Sequence, residues 1–202
     1  MGLISNGTTI FDAGVLNAGG SMSFIKKLTA SSSSTLSFVD GSSSVVLDST
    51  YKEYMFIFNN IHPQTNAASL TFQGNAAGGS GFDETITSTY FRSRHNEDDS
   101  DGAVNYDESY DLNQSTNFQT ISYATGNEND ECCSGYLHLF NPSGTTFVKH
   151  FTSHVSNYGR NNHARFENAA GYFNTTAAID EIQFKFHSGN IDSGTITLYG
   201  IA

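Results

Sequence analysis

The sequence predicts an all-β fold, a single β-sandwich of jelly-roll-like topology with about ten strands. Short segments in which apolar and polar residues alternate recur from residue 22 to residue 201. Gly, Ser, Asn and Asp clusters separate them, as turns require. No segment keeps helical periodicity over three turns, and the nearest candidate, residues 165–170, is too short for an isolated helix.

The strands follow one another in a regular order. Residues 22–30 and 36–40 flank the serine tract 31–34 and are predicted to form a hairpin. Further strands are predicted at residues 45–47, 51–61, 70–73, 85–92, 118–123, 136–140, 146–155, 171–175, 181–186 and 195–201.

Two of these strands allow a more detailed prediction. Residues 51–61 are apolar on both faces, which favours a central position in a sheet. In residues 195–201, Ile196 and Leu198 alternate with polar or outward positions, so both are predicted to face the core. We expect this last strand to pair with residues 181–186.

The chain divides into two parts of unequal size. Residues 1–20 hold weak apolar pairs interrupted by glycines, which indicates an N-terminal arm laid on a neighbouring subunit or, alternatively, an edge strand with a loop. Residues 21–202 form the predicted β-sandwich domain.

Composition limits the classes of function. Of 202 residues, 37% are apolar, 13% aromatic and only 14% charged, with 16 Phe, so we expect a folded chain with a Phe-rich core. The net charge of −11 repels phosphate backbones and anionic lipids, which argues against nucleic-acid and membrane partners.

One acidic segment resembles a calcium-binding loop. Glu97, Asp99 and Asp101 occupy alternate positions, Gly102 follows, and Glu108 lies where a bidentate ligand would be expected. Carboxylate oxygens are the ligands that Ca²⁺ prefers. The alternative is a solvated acidic loop between strands, because Glu replaces the usual first Asp and the flanks lack helical pattern. No other cofactor is predicted.

Signals for catalysis are weak. His150 and His154 lie four apart in a predicted strand, about 13 Å from each other along it, too far to share a metal. The adjacent Cys132 and Cys133 have no partners at ligand spacing and are predicted to be free thiols. The chain has neither a G-x-S-x-G elbow nor a phosphate loop. We therefore expect a protein that is not an enzyme.

Several segments resemble a family of small proteins from marine tailed bacteriophages of the cyanophage type. The similar segments are MGLISNGTTIFDAG (1–14), FIKKLTASSS (24–33), YKEY (51–54), IHP (61–63), GYLHLFNP (135–142), TFVKHF (146–151), IDEIQF (179–184) and SGNIDSGTITLYGI (188–201). Members of this family are uncharacterised or are structural proteins of the virion, so the resemblance implies a virion component and supplies no catalytic residue.

Within the virion, we expect a capsid decoration, cement or head-fibre subunit, made in the cytoplasm of the bacterial host, because the sequence shows no long repetitive shaft of the kind that fibres usually carry. A homotrimer that binds other virion proteins, such as the major capsid protein, is expected. The first alternative is a tail fibre or receptor-binding component that recognises host surface glycans, with Tyr-bearing loops at residues 106–110 and 158–166 as candidate contacts. The second is a polysaccharide-degrading enzyme.

Overall fold

In this computed structural model, the structure describes the backbone of residues 3–5, 8–12 and 15–16 and all of residues 21–202. Fifteen strands are formed: β1 Leu3–Ser5, β2 Thr8–Asp12, β3 Val15–Leu16, β4 Met22–Thr29, β5 Leu36–Val39, β6 Glu53–Pro63, β7 Ala68–Ala76, β8 Ile86–Asn96, β9 Gly102–Tyr106, β10 Gln119–Thr125, β11 Cys133–Phe140, β12 Lys149–Gly159, β13 His163–Phe173, β14 Ile179–Phe186 and β15 Ile191–Ile201. The predicted all-β class is confirmed.

The strands form two sheets of different size, and the strand pairs of both sheets are antiparallel. Strands β1, β2 and β3 pair with one another in a three-stranded sheet. The other twelve belong to a single sheet that is nearly closed on itself. The rest of residues 1–20 lies outside the described residues. That this segment forms an arm on a neighbouring subunit stays a prediction.

The twelve-stranded sheet contains two continuous runs. The eight-stranded run has the order β4-β15-β6-β11-β12-β13-β8-β9, and the four-stranded run has the order β10-β7-β14-β5. The pairing recorded between them is that of β10 with β12, at Thr125 and Gly159. Each run therefore has its own ladder of hydrogen bonds. Away from this point, side-chain packing holds the two runs together.

Phenylalanine side chains make the contact between the two runs. The ring of Phe184 on β14 lies 5.4 Å from the ring of Phe56 and 5.3 Å from that of Phe58 on β6. On the neighbouring strand, Phe72 packs edge-on against Phe151 of β12, with 4.9 Å between centroids. These rings are fully or almost fully buried. The predicted Phe-rich core is therefore confirmed.

The chain's own loops cover the far side of the four-stranded run. Every residue of β7 is buried, including those that point away from the phenylalanine core. The buried Gln73 amide donates hydrogen bonds to the carbonyls of Glu84, Thr116 and Asn117, which fastens two loops over this strand.

Strand positions were predicted better than strand partners. Strand β6 is central, as predicted, because it pairs with β11 and β15. Both predicted hairpins are wrong: β4 pairs with β15, and β5 pairs with β14, which also pairs with β7. Alternation of apolar residues identifies the buried face of a strand, but any strand with a similar face can then become its neighbour.

Three local predictions also change. Val45 and Leu47 are buried but lie outside the strands. The segment predicted as an acidic loop includes a short strand, β9. Residues 165–170, the nearest candidate for a helix, belong to the long strand β13.

Candidate assembly interface

The outward positions of the eight-stranded run line up across all of its strands. Register pairs join one row from β4 to β9, consisting of Lys27, Thr197, Ile57, Tyr136, His154, Asn168, Phe91 and Tyr106. The alternate positions on the same strands, such as Phe58, Leu137 and Val155, are buried in the core. The row therefore lies on the side that faces away from the core.

Three further rows run parallel to the first and complete this surface. A row on one side contains Phe24, Tyr199, Met55, His138, Thr152, Ala170 and Thr89. Beyond it lie Met22, Ile201, Glu53 and Phe140, followed by His150, Tyr172 and Thr87. On the other side lie Ser134, Ser156, Phe166, Ser93 and Val104. We call these four rows the outer face.

Large apolar side chains on the outer face are exposed to solvent at its two lateral edges. On edge strand β4, Phe24 is 63% exposed and Met22 is also exposed. At the opposite edge, Val104 on β9 is 78% exposed, next to exposed Phe91 and Tyr106. Single exposed apolar residues are ordinary, but clusters of them on one face indicate a surface that binds a partner.

The outer face carries very little charge although the chain is strongly acidic. Glu53 is the only carboxylate in the four rows and Lys27 the only lysine. The Glu53 carboxylate lies 2.9 Å from His138 Nε2 on the next strand. Depletion of charge together with enrichment of aromatic residues is typical of the centre of a protein interface.

Aromatic contacts order the middle of the outer face. The His154 ring stacks on Phe166 at 5.9 Å between centroids, and it lies 5.1 Å from the Tyr136 ring. His138 lies 4.1 Å from the ring of Phe140. Because these rings are held in place before any partner arrives, less side-chain entropy would be lost on binding.

An apolar groove of about 500 Å³ adjoins the outer face. Its walls include Phe140 and His150, which belong to the face, and Phe147 and Val148 from the preceding loop. Phe147 is 73% exposed. A groove of this size and lining can hold an apolar side chain of a partner.

The predicted calcium ligands have separate partners. Asp101 Oδ2 accepts a hydrogen bond from Arg94 Nε at 2.7 Å, and this bond holds the pKa of Asp101 below its ordinary value. Asp99 Oδ1 lies 3.0 Å from His95 Nε2, and Glu97 Oε1 accepts a hydrogen bond from Tyr158.

Glu108, the fourth predicted ligand, lies beyond strand β9 in the following turn. Among the residues that the structure describes, no group of three or more His, Cys, Asp or Glu side chains is arranged to hold a metal. Calcium binding at Glu97, Asp99, Asp101 and Glu108 stays a prediction, for which a melting-temperature shift at millimolar Ca²⁺ is the test.

A polar cavity of about 490 Å³ lies at the opposite end of strands β6, β11 and β15 from Glu53 and Phe140. Its walls include His62, Asp130, Asp192 and Cys132. His62 Nδ1 is bound to the Glu131 carbonyl oxygen at 2.6 Å, and Cys132 Sγ lies 3.9 Å from Asn60 Oδ1. Burial, and then the charge of Asp130, raises the pKa of Cys132, which opposes formation of a thiolate nucleophile.

Sequence reasoning missed a buried polar cluster on the inner side of β12 and β13. Glu167 is completely buried, and burial raises the pKa of its carboxyl to about 7. Its Oε2 accepts a hydrogen bond from the Tyr123 amide at 2.9 Å and lies 3.4 Å from Asn157 Nδ2. Nothing in the local sequence marks Glu167 as a buried carboxyl.

No protein-family model, curated protein or solved structure matches this chain. Among the residues that the structure describes, no helix is long and apolar enough to span a membrane.

Proposed function

We propose that this protein is a non-enzymatic structural subunit of a bacteriophage virion, which binds the exterior of the capsid as a decoration, cement or head-fibre protein. The outer face is the observation that carries the proposal. It presents aromatic and apolar side chains across eight strands with Glu53 as its only carboxylate. The phage setting comes from the segment resemblance described above.

The contrast between the two sides of the molecule supports an assembly role. Loops held by Gln73 cover the far side of the four-stranded run. The outer face instead keeps Phe24, Phe91 and Val104 exposed. A surface of this composition is costly to leave in water, at about 25 cal/mol per Å² of apolar area. A permanent partner would remove that cost.

We further propose that the two runs form the two layers of a jelly-roll-like sandwich. Ring contacts of Phe184 with Phe58, and of Phe72 with Phe151, join the runs through side chains. Such packing of apolar side chains between two sheets is what a sandwich requires.

Composition of purified phage particles tests the virion assignment. Quantitative mass spectrometry of the particles should find this chain in hundreds of copies, in a fixed ratio to the major shell protein. A few copies per particle would favour the tail-fibre alternative. Absence from washed particles would overturn the proposal.

The outer face is tested by binding of purified protein to particles that lack it. Wild-type protein should restore full occupancy. The variant Phe91→Glu, which introduces a carboxylate into the outer face, should bind at least about tenfold more weakly. Ser34→Glu adds the same charge at an exposed loop position outside the face and should bind as the wild type does.

A further inference from the structure

The turn between β7 and β8 is one of the connections between the four-stranded run and the eight-stranded run. It comprises residues 77–85, with the sequence AGGSGFDET. The Ala77 amide donates a hydrogen bond to the Ala178 carbonyl at 2.8 Å, and the Thr85 carbonyl accepts one from the Asn174 amide at 2.7 Å. Both ends of the turn are therefore fixed to the loop between β13 and β14, and a ligand bound in the turn would fasten the two runs to each other.

A buried oxygen without a hydrogen-bond donor points into this turn. Asn75, near the end of β7, is 5% exposed, and its buried Oδ1 atom has no partner among the residues that the structure describes. Oδ1 lies so close to Gly79 that a side chain at position 79 would collide with it. A buried acceptor that receives no hydrogen bond is costly, and a bound cation would satisfy it.

Two carboxylates belong to the same turn. Glu84 Oε1 accepts a hydrogen bond from the Ala76 amide at 2.9 Å, which places this carboxylate beside the backbone of Asn75. The preceding Asp83 is exposed. Neither carboxylate forms an ion pair with a residue that the structure describes. Residues 64–91 contain no Lys, Arg or His, so the negative charge of the turn has no cationic neighbour in the sequence.

Glycines give this turn a shape that suits cation binding. The spacing from Gly78 to Asp83, G-G-x-G-x-D, is that of the calcium-binding turns of β-helical repeat proteins. Gly78 has a φ of 82°, a left-handed conformation that residues with a side chain rarely adopt. A turn of this kind can direct backbone carbonyl oxygens inward. Carbonyl, amide and carboxylate oxygens are the ligands that Ca²⁺ prefers.

We propose that the β7–β8 turn binds one Ca²⁺ ion through Asn75 Oδ1 and the carboxylates of Asp83 and Glu84. Backbone carbonyls and water would complete the set of about six to eight oxygen ligands. With only two carboxylates, this set is not one of the groups of three or more acidic, His or Cys side chains that are absent from the described residues. It is also separate from residues 97–108, where three of the predicted ligands have partners within the protein. The proposal depends neither on the outer face nor on the virion assignment.

Thermal melting of the full chain tests the proposal. Once divalent ions have been removed with EDTA and the chelator dialysed away, CaCl₂ at about ten times its dissociation constant should raise the melting temperature by about 4 °C. MgCl₂ at the same concentration should raise it less, because Mg²⁺ requires near-ideal octahedral geometry. Asp83→Asn removes one ligand charge at an exposed position, so the fold is retained. Its dissociation constant for Ca²⁺, measured by calorimetric titration, should be at least about tenfold higher.

Two further variants locate the ion. Asp101→Asn makes the same chemical change among residues 97–108 and should leave the affinity for Ca²⁺ unchanged. Asn75→Asp adds a carboxylate to the proposed ligand set. Without Ca²⁺ this variant should melt at a lower temperature than the wild type, because the new charge is buried, and on addition of CaCl₂ its melting temperature should rise further than that of the wild type.

The contrary results are equally specific. A melting temperature that does not respond to CaCl₂ would overturn the proposal. A response lost in Asp101→Asn and kept in Asp83→Asn would also overturn it, because the ion would then lie among residues 97–108. Hydrogen exchange supplies a local measurement: CaCl₂ should slow exchange of the Ala77 and Gly79 amides in the wild type and not in Asp83→Asn. Unchanged exchange at both amides would show that the turn binds no ion.

Discussion

Two regions of the same core are built from opposite kinds of residue. Where β6 and β14 meet, the interior is a cluster of phenylalanine rings around Phe184. Where β10, β12 and β13 meet, the interior contains Glu167, Asn157 and Arg165, all at least nine-tenths buried. We call these regions the aromatic core and the polar core.

Hydrogen bonds replace apolar packing in the polar core. Asn157 Nδ2 donates to Ser122 Oγ at 2.7 Å and to the Tyr123 carbonyl at 2.8 Å. Arg165 donates to the carbonyls of Tyr123 and Ala124 at 3.0 and 2.9 Å. These bonds lie near Thr125, where the two runs of strands join. The two runs are therefore held together by apolar packing of phenylalanine rings at one end and by directional hydrogen bonds at the other.

Removal of Phe184 should have the largest effect. Phe184→Ala deletes a fully buried ring that touches four others. We expect the free energy of unfolding to fall by about 4 kcal/mol. Chemical denaturation measures this change. Phe147→Ala, which truncates a largely exposed ring, should change stability by less than about 0.5 kcal/mol. Equal effects would show that the aromatic core is not where stability resides.

The aromatic core could be predicted from sequence and the polar core could not. Phe56 and Phe58 alternate with neighbours of the other face, and that period of two identifies both the strand and its buried side. In β13 the inward positions include Arg165 and Glu167, which are charged residues of the kind usually found on surfaces. The strand therefore lacks the alternation of apolar and polar residues that would identify its buried side. Their burial depends on partners such as Asn157 and Tyr123, which only the folded register brings together.

The outer face was hidden from sequence analysis for a related reason. Each of its strands contributes only two to four outward side chains, and no strand on its own reveals the face. The face becomes visible when register places Ile57, Tyr136, His154 and Phe91 in one row. Since both predicted hairpins were wrong, no such row could have been assembled beforehand.

Titration of Glu167 should produce the second-largest effect. The carboxyl has an ordinary pKa of 4.5 in the unfolded chain, whereas burial raises its pKa to about 7 in the fold. Between these values the folded state holds more protons, so stability is full below about pH 4.5 and is lost as pH rises through about 7. Because the carboxyl is fully buried, the free energy of unfolding can fall by up to about 3 kcal/mol over this pH range.

Glu167→Gln should remove this pH dependence. Denaturation midpoints of the wild type and the variant, measured at intervals from pH 5 to pH 8.5, should diverge as pH rises, with the variant the more stable at the alkaline end. Glu108→Gln, which alters a surface carboxylate, should keep the wild-type slope. Parallel curves for the wild type and Glu167→Gln would contradict the burial of an ionisable group in the polar core.

Loss of the Asn157 amide should rank third. Asn157→Ala removes the buried amide that donates to Ser122 Oγ and to the Tyr123 carbonyl, and Arg165 still donates to that carbonyl, so we expect a cost of about 2 kcal/mol. The adjacent Ser156 points outward from the same strand, so Ser156→Ala is the matched control and should be close to neutral. Hydrogen exchange of the Gly126 and Arg160 amides, which donate to the Tyr158 and Ala124 carbonyls across the join between the runs, should also accelerate in Asn157→Ala.

The smallest effect is expected at a charged pair outside both cores. Arg94 and Asp101 form a 2.7 Å ion pair at the β8–β9 turn, where the Asp101 side chain is 42% exposed. Water and salt screen such a pair, so Asp101→Asn should cost less than about 1 kcal/mol. Part of that cost should disappear at 0.5 M NaCl, since the Debye length then falls to about 4 Å. A cost that matched Asn157→Ala and ignored salt would mean that this turn, like the polar core, depends on directional bonds more than on charge.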